Sequence, residues 1–115
     1  MTAKEGPQPD SGENKLKLFP LENLLINPHL RLIIKTSSAG HHYELKSAGE
    51  TTPHTINVLG KENKLSGWIP ILPKNGPTVR IGASLFFWQS DAQIKGSIRR
   101  IVTSPVVEMV VFGSV

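Results

Sequence analysis

A chain of 115 residues is one domain by size, and 13 lysines and arginines against 9 acidic residues give it a formal net charge of +4. The absence of cysteine excludes a disulfide framework and thiolate metal sites. No stretch approaches the roughly 20 apolar residues of a membrane span and no secretory signal is visible, so a soluble cytoplasmic protein is the expectation.

Residues 1–15 contain glycine, proline, serine and charged side chains, but no large aliphatic or aromatic side chain after Met1. Such a segment cannot offset the entropy of ordering, which predicts a flexible, disordered N-terminal arm. Residues 16–115 are then a single β domain. This body has eleven basic against six acidic residues, a net charge of +5, which permits an anionic partner without requiring one.

A short helix is predicted at the start of the domain, in "LFPLENLLINP". Pro20 suits the first turn of a helix, and Leu21, Leu24 and Leu25 recur at helical spacing. Pro28 then requires a stop. The alternative is an irregular apolar segment that covers the end of a barrel.

Alternating segments follow and predict β-strands. "LRLIIK" places Leu32 and Ile34 on one face, and "HYELKS" does the same with Tyr43 and Leu45, which together predict a hairpin. "HTINVL" and "KLSGWIPIL" read as further strands. Pro70 cannot donate to a ladder, so the second of these is predicted to be an edge strand or to be bulged.

Three more strands are predicted in "ASLFFWQ", "QIKGSIRRIV" and "VVEMVVFGSV", which are separated by the turn "SDA" and the breaker "TSP". The last segment is apolar on both faces, which indicates burial on both sides or a partner. In "ASLFFWQ", either Leu85 and Phe87 or Phe86 and Trp88 face the core. About seven antiparallel strands with one short N-terminal helix predict an all-β fold, a small barrel or sandwich.

The segment "QIKGSIRRIV" carries the candidate binding residues. Lys95 and Arg99 alternate away from the isoleucines, whereas Arg100 falls on the isoleucine side. A bulge at Arg99–Arg100 would turn both guanidinium groups to solvent side by side. Together with Trp68 and Trp88, these three cations form the predicted anion or partner contact. Ordinary surface decoration and core packing are the alternatives.

No catalytic or metal site is predicted. The four histidines show no converging ligand set, and adjacent histidines in a strand point to opposite faces, so exposed turn positions are expected for His29, His41, His42 and His54. The chain has no G-x-S-x-G elbow, no phosphate-binding glycine loop and no carboxylate pair. The sequence therefore predicts a protein that is not an enzyme and has no cofactor.

From Leu30 onward, the order of elements around "AGHHYEL", "WIPILP", "VRIGASLFFW" and "IKGSIRRIVTSPV" resembles the N-terminal split barrel of flagellar-brake proteins, the partner of the PilZ domain. The cyclic-dinucleotide signature of PilZ, an arginine pair followed by D-x-S-x-x-G, does not occur in the sequence. The resemblance implies an accessory, protein-contacting barrel rather than a nucleotide receptor.

The expected function is a non-enzymatic binding or regulatory module that contacts another protein or a second copy of itself. A structural assembly subunit of the virion or tail type is one alternative, because a flexible arm and a two-faced terminal strand suit subunits that exchange or pair segments. A barrel that binds single-stranded nucleic acid through its aromatic rings and arginines is the other.

Overall fold

The computed structural model describes residues 16–38, 41–72, 77–90 and 93–113. The predicted flexible arm, residues 1–15, lies outside them. The described residues form one α-helix, α1, and eight strands. Their bounds are β1 (Leu18–Pro20), α1 (Glu22–Ile26), β2 (Arg31–Thr36), β3 (His42–Ser47), β4 (Thr55–Leu59), β5 (Leu65–Pro70), β6 (Thr78–Arg80), β7 (Ser84–Ser90) and β8 (Ile98–Phe112).

Six of these strands close into an antiparallel barrel in the order β2, β3, β4, β5, β7 and β8, with β8 returning to pair with β2. The predicted all-β barrel is therefore confirmed. The remaining two strands, β1 and β6, form a separate antiparallel pair in which Phe19 lies opposite Val79. No helix in the described ranges is long and apolar enough to cross a membrane.

The barrel interior is filled by the side chains that the period-two pattern places on one face of each strand. Ten of them are buried and belong to one cluster: Leu32, Ile34, Leu45, Ile56, Val58, Ile69, Leu85, Phe87, Val106 and Met109. The predicted inward face of the first hairpin is confirmed, since Leu45 is buried and Tyr43 packs against the cluster.

The helix α1 and the pair β1–β6 close one end of the barrel. Phe19, Leu21, Leu24 and Val79 are buried and belong to the same core cluster. A helix of five residues is not stable by itself, so α1 depends on burying Leu24 against the barrel. The predicted short helix is confirmed, but Pro20 ends β1 and the helix begins at Glu22. The alternative of an irregular segment is wrong, because the residues that cover the end of the barrel form a strand and a helix.

One strand, β8, replaces the two strands predicted on either side of "TSP". It pairs first with β7 and then with β2, and two β-bulges accompany the change of partner. The first places Thr103 and Ser104 opposite Leu85, and the second leaves Val107 as the extra residue. Bulges bend and twist a strand, which lets β8 satisfy both neighbours and close the barrel.

Pro105 lies between these two bulges and does not end the strand. Its carbonyl oxygen accepts a hydrogen bond of 2.9 Å from the backbone N–H of Ser37. The sequence interpretation of "TSP" as a breaker was wrong because a proline is tolerated beside a bulge, where the regular ladder is already interrupted.

The predicted irregularity of β5 is also found, but near Ser66 rather than at Pro70. The pairing of β5 with β4 shifts by one residue there, and Pro70 is the last residue of the strand. The pairing of β5 with β7 consists of Trp68 opposite Trp88. This junction is therefore the least regularly paired one in the barrel, and Gly67 lies beside it.

The turn between β4 and β5 stores backbone strain that a substitution can release. Glu62 and Asn63 both have positive φ, 63° and 58°, as in the type I′ turn of two-residue hairpins. Asparagine and glycine adopt this conformation readily, whereas glutamate does not. We expect Glu62→Asn to raise the free energy of unfolding by about 0.5 kcal/mol, measured by urea denaturation.

The control for this prediction is Lys64→Asn. Lys64 lies 3.5 Å from the Glu62 carboxylate but has an extended backbone, so its replacement removes the same exposed ion pair without relieving strain. A gain in stability as large in the control as in Glu62→Asn would contradict the explanation.

Candidate functional site

The burial of alternate side chains shows which face of β7 points into the barrel. Leu85 and Phe87 are 6% and 2% exposed, whereas Phe86 between them is 47% exposed. Because successive side chains of a strand alternate, Trp88 points outward with Phe86. Trp68 is the partner of Trp88 on β5 and lies on the same outer side.

The register of β8 adds three side chains to this outer side. Val102 lies opposite Phe86, Arg100 opposite Trp88 and Ile98 opposite Ser90. Ile98 and Val102 are 57% and 56% exposed. We call this surface the aromatic face, and its residues are Trp68, Phe86, Trp88, Ile98, Arg100 and Val102.

The predicted bulge at Arg99–Arg100 is wrong. Pairing with β7 is regular from Ile98 to Val102, so Arg99 and Arg100 project to opposite sides of β8. The prediction failed because it assumed that Ile98 faces the core, whereas Ile98 is an outward residue at the start of the strand. The bulge lies further along, where β8 changes partner.

Arg99 is exposed, and its guanidinium group connects neighbouring strands. Its Nε and Nη2 atoms donate hydrogen bonds of 3.3 and 3.2 Å to Oε1 of Gln89. Gln89 in turn donates from Nε2 to the carbonyl oxygen of Ser66, at 3.0 Å. These side chains connect β8, β7 and β5 next to the sparsely paired junction.

Arg100 belongs to the aromatic face. Its guanidinium carbon lies 4.8 Å from the centroid of the Phe86 ring, within the range of a cation–π contact. No described carboxylate forms an ion pair with it. Arg100 therefore presents a positive charge among apolar side chains without an acidic neighbour in the described part of the chain.

Lys95 is placed by a turn and not by the strand in which it was predicted. The N–H of Ser97 donates to the carbonyl oxygen of Ile94 at 3.0 Å, and Gly96 between them has a φ of +84°. A glycine with positive φ at the third position is typical of a type II turn. Lys95 is thus exposed at the tip of the β7–β8 hairpin, past the last residue of the aromatic face.

The four histidines are all exposed, as expected, but His42 is the first residue of β3 rather than part of a turn. Two of them, His41 and His42, line a cavity of about 710 Å³ at one end of the barrel together with Tyr43, Lys61 and Ser66. The sequence did not reveal this cavity because its walls come from separate turns. Among the described residues, no three histidine or acidic side chains are grouped so that they could hold a metal ion.

The candidate site residues thus separate into three groups. The structure brings Trp68, Trp88 and Arg100 together on one surface, whereas Arg99 and Lys95 lie elsewhere. Sequence reasoning left out Ile98 and Val102, which contribute the most exposed apolar side chains of the face. The signal that could have identified them is their even spacing with Arg100, since residues 98, 100 and 102 share one face of a strand without a bulge.

Comparison of this chain with protein-family models, with curated proteins and with solved structures found no match. The resemblance to the split barrel of flagellar-brake proteins stays a prediction.

Proposed function

We propose that this chain is a non-enzymatic binding module and that it contacts a partner protein through the aromatic face. The observation that carries the proposal is the composition of the face. Tryptophan, phenylalanine and arginine are the residue types enriched at the centres of protein interfaces, and here they stand beside two aliphatic side chains that are more than half exposed. Neighbouring apolar side chains on adjacent strands form a patch, unlike the scattered single residues of an ordinary surface.

A second copy of this chain is a poor occupant of the face. In a symmetric dimer the same patch meets itself, so both copies of Arg100 would lie within one interface and repel each other. The residues of the aromatic face include no carboxylate that could offset this repulsion. We therefore favour a different protein over self-association, and over the symmetric pairing that an assembly subunit would use here.

Single-stranded nucleic acid is the second candidate, because bases stack on exposed aromatic rings. Proteins of that class also supply a basic groove that follows the phosphates. The aromatic face offers Arg100, whereas Arg99 is bonded to Gln89 and Lys95 lies at the hairpin tip. Ile98 and Val102 cannot stack with bases, and they favour an apolar protein surface instead.

The test uses a photo-crosslinking amino acid in place of Val102, introduced in cells that express the protein. The same group in place of Lys46, which is exposed on the outer side of β3, is the control. We expect one protein to crosslink at position 102 and not at position 46. The purified partner should change the tryptophan emission, because both tryptophans of the chain lie on the aromatic face.

Phe86→Ala should then weaken the purified complex about tenfold or more, since truncation of an aromatic residue at an interface centre costs about 2 kcal/mol. Lys46→Ala should leave the dissociation constant unchanged. Crosslinking mainly to nucleic acid, or binding of the purified partner without a change in tryptophan emission, would overturn the proposal.

A further inference from the structure

Two arginines of the barrel lie over phenylalanine rings, and one of them also forms an ion pair with a glutamate. The guanidinium carbon of Arg31 is 5.7 Å from the centroid of the Phe112 ring, and Nη1 of the same side chain is 3.4 Å from Oε2 of Glu44. Arg100 lies over Phe86 in the same way, at 4.8 Å, but has no ion pair with a described carboxylate. Among the described residues, the second arrangement lacks the acidic member that the first one has.

A guanidinium placed over a ring is suited to receive a carboxylate. The N–H groups at its edge can donate two parallel hydrogen bonds to the oxygens of an aspartate or glutamate. Contact with the ring restricts the long side chain, so less entropy is lost when the partner binds. The apolar neighbours Val102 and Trp88 would exclude water around such a pair and strengthen it.

The charge of the surrounding segment agrees with an acidic occupant. From Ser84 to Val107 the chain has three cations, Lys95, Arg99 and Arg100, against the single acid Asp91, a net charge of +2. The body as a whole carries +5. An acidic, apolar segment of a protein therefore complements both the charge and the side-chain composition of the aromatic face.

We propose that the partner places an aspartate or glutamate against Arg100, flanked by apolar side chains on the aromatic face. The partner's carboxylate takes at Arg100 the place that Glu44 takes at Arg31. This inference rests on the proposed function of the face as a protein-binding surface, and it specifies the chemistry of the protein that binds there.

The experiment selects peptides from a random library displayed on phage, against the full chain and against its Arg100→Glu variant. Recovered peptides are synthesised and titrated, with tryptophan emission as the readout of binding to the aromatic face. We expect the unaltered chain to recover acidic residues flanked by leucine, isoleucine, valine or aromatic residues. Replacing the acid by its amide should weaken binding about tenfold to a hundredfold.

The variant Arg100→Glu should recover lysine and arginine in place of the acids, whereas Lys46→Glu, which changes the net charge equally, should leave the preference for acids intact. A second pair of variants supplies the carboxylate from within the chain. Val102 lies opposite Phe86, and the guanidinium of Arg100 lies over the Phe86 ring. A glutamate at position 102 is therefore close enough to pair with Arg100. Val102→Glu should therefore lose more affinity for acidic peptides than Val102→Gln does.

The outcomes separate the two proposals. Peptides that change the tryptophan emission but show no enrichment in acids, or whose binding is unaffected by Arg100→Glu, overturn this inference and leave the protein-binding function standing. Failure to find any peptide that changes the tryptophan emission overturns both. If an oligothymidylate changes the emission instead, the face belongs to the nucleic-acid class.

Discussion

Replacing Gly67 by alanine is expected to lower the free energy of unfolding by about 3 kcal/mol. Gly67 is buried in β5, next to the Trp68–Trp88 pair that joins this strand to β7. A Cβ atom on Gly67 would overlap the carbonyl oxygen of Trp88 and lie 2.5 Å from Cδ2 of Phe87. The first obstacle is backbone and the second is a buried ring, so neither can yield without separating the two strands.

Gly96→Ala is the matched control for this prediction. A Cβ atom at Gly96 meets nothing within 4 Å, so the cost there comes from the φ of +84° and is about 1 kcal/mol. Urea denaturation of both variants compares the two free energies directly. If Gly67→Ala loses no more stability than Gly96→Ala, then close approach of β5 and β7 does not explain the glycine.

The two buried threonines of the barrel are expected to respond to valine with opposite signs. Thr36 is 2% exposed, and its Oγ1 finds no hydrogen-bond partner among the described residues. Burying a hydroxyl without a partner costs free energy that a methyl group of the same shape does not. Thr36→Val should therefore raise the free energy of unfolding by about 1 kcal/mol.

Thr103 is 8% exposed, but its hydroxyl group both accepts and donates a hydrogen bond. Its Oγ1 accepts a hydrogen bond of 3.0 Å from the N–H of Leu85 and donates one of 2.7 Å to the carbonyl oxygen of Ser104. These residues form the β7–β8 bulge. Because valine has no hydroxyl group, Thr103→Val would leave the buried N–H of Leu85 without this acceptor. We expect a loss of about 2 kcal/mol.

The comparison is made by urea denaturation of the two single variants and the double variant. The two hydroxyl groups share no hydrogen-bond partner, so the free energy of unfolding of the double variant should lie close to the value expected from the sum of the two single changes. If both substitutions shift stability in the same direction, the explanation from satisfied and unsatisfied hydroxyl groups fails. Equal slopes against urea would show that the variants unfold to the same extent.

Much of the barrel could be predicted from local pattern. The alternation in "LRLIIK" and "HYELKS" assigned the inward residues correctly, because period two is a property of each strand by itself. The aromatic face could be predicted only in part. Trp68, Trp88 and Arg100 were named as candidates, but their grouping depends on which residues of β5, β7 and β8 lie opposite one another.

The arginine pair shows why the register of β8 against β7 could not be predicted from the sequence. Nothing local distinguishes Arg99 from Arg100, since a bulge anywhere between Arg100 and Pro105 would exchange the faces to which the two side chains point. The bulge occurs at Thr103–Ser104, where Thr103 supplies Leu85 with a hydrogen bond and β8 leaves β7 for β2. That position depends on contacts with two other strands, which the segment "QIKGSIRRIV" does not contain.

By itself, the sequence determined that this protein is an all-β domain with a short apolar helix near its start, because composition, turn residues and hydrophobic period act within each segment. Only the tertiary structure decided that the barrel closes through one long bulged strand, that Phe86 and Trp88 face outward, and that Arg100 joins them while Arg99 bonds to Gln89. These outcomes depend on register between strands distant in the chain, and a shift of one residue would reverse every one of those side chains.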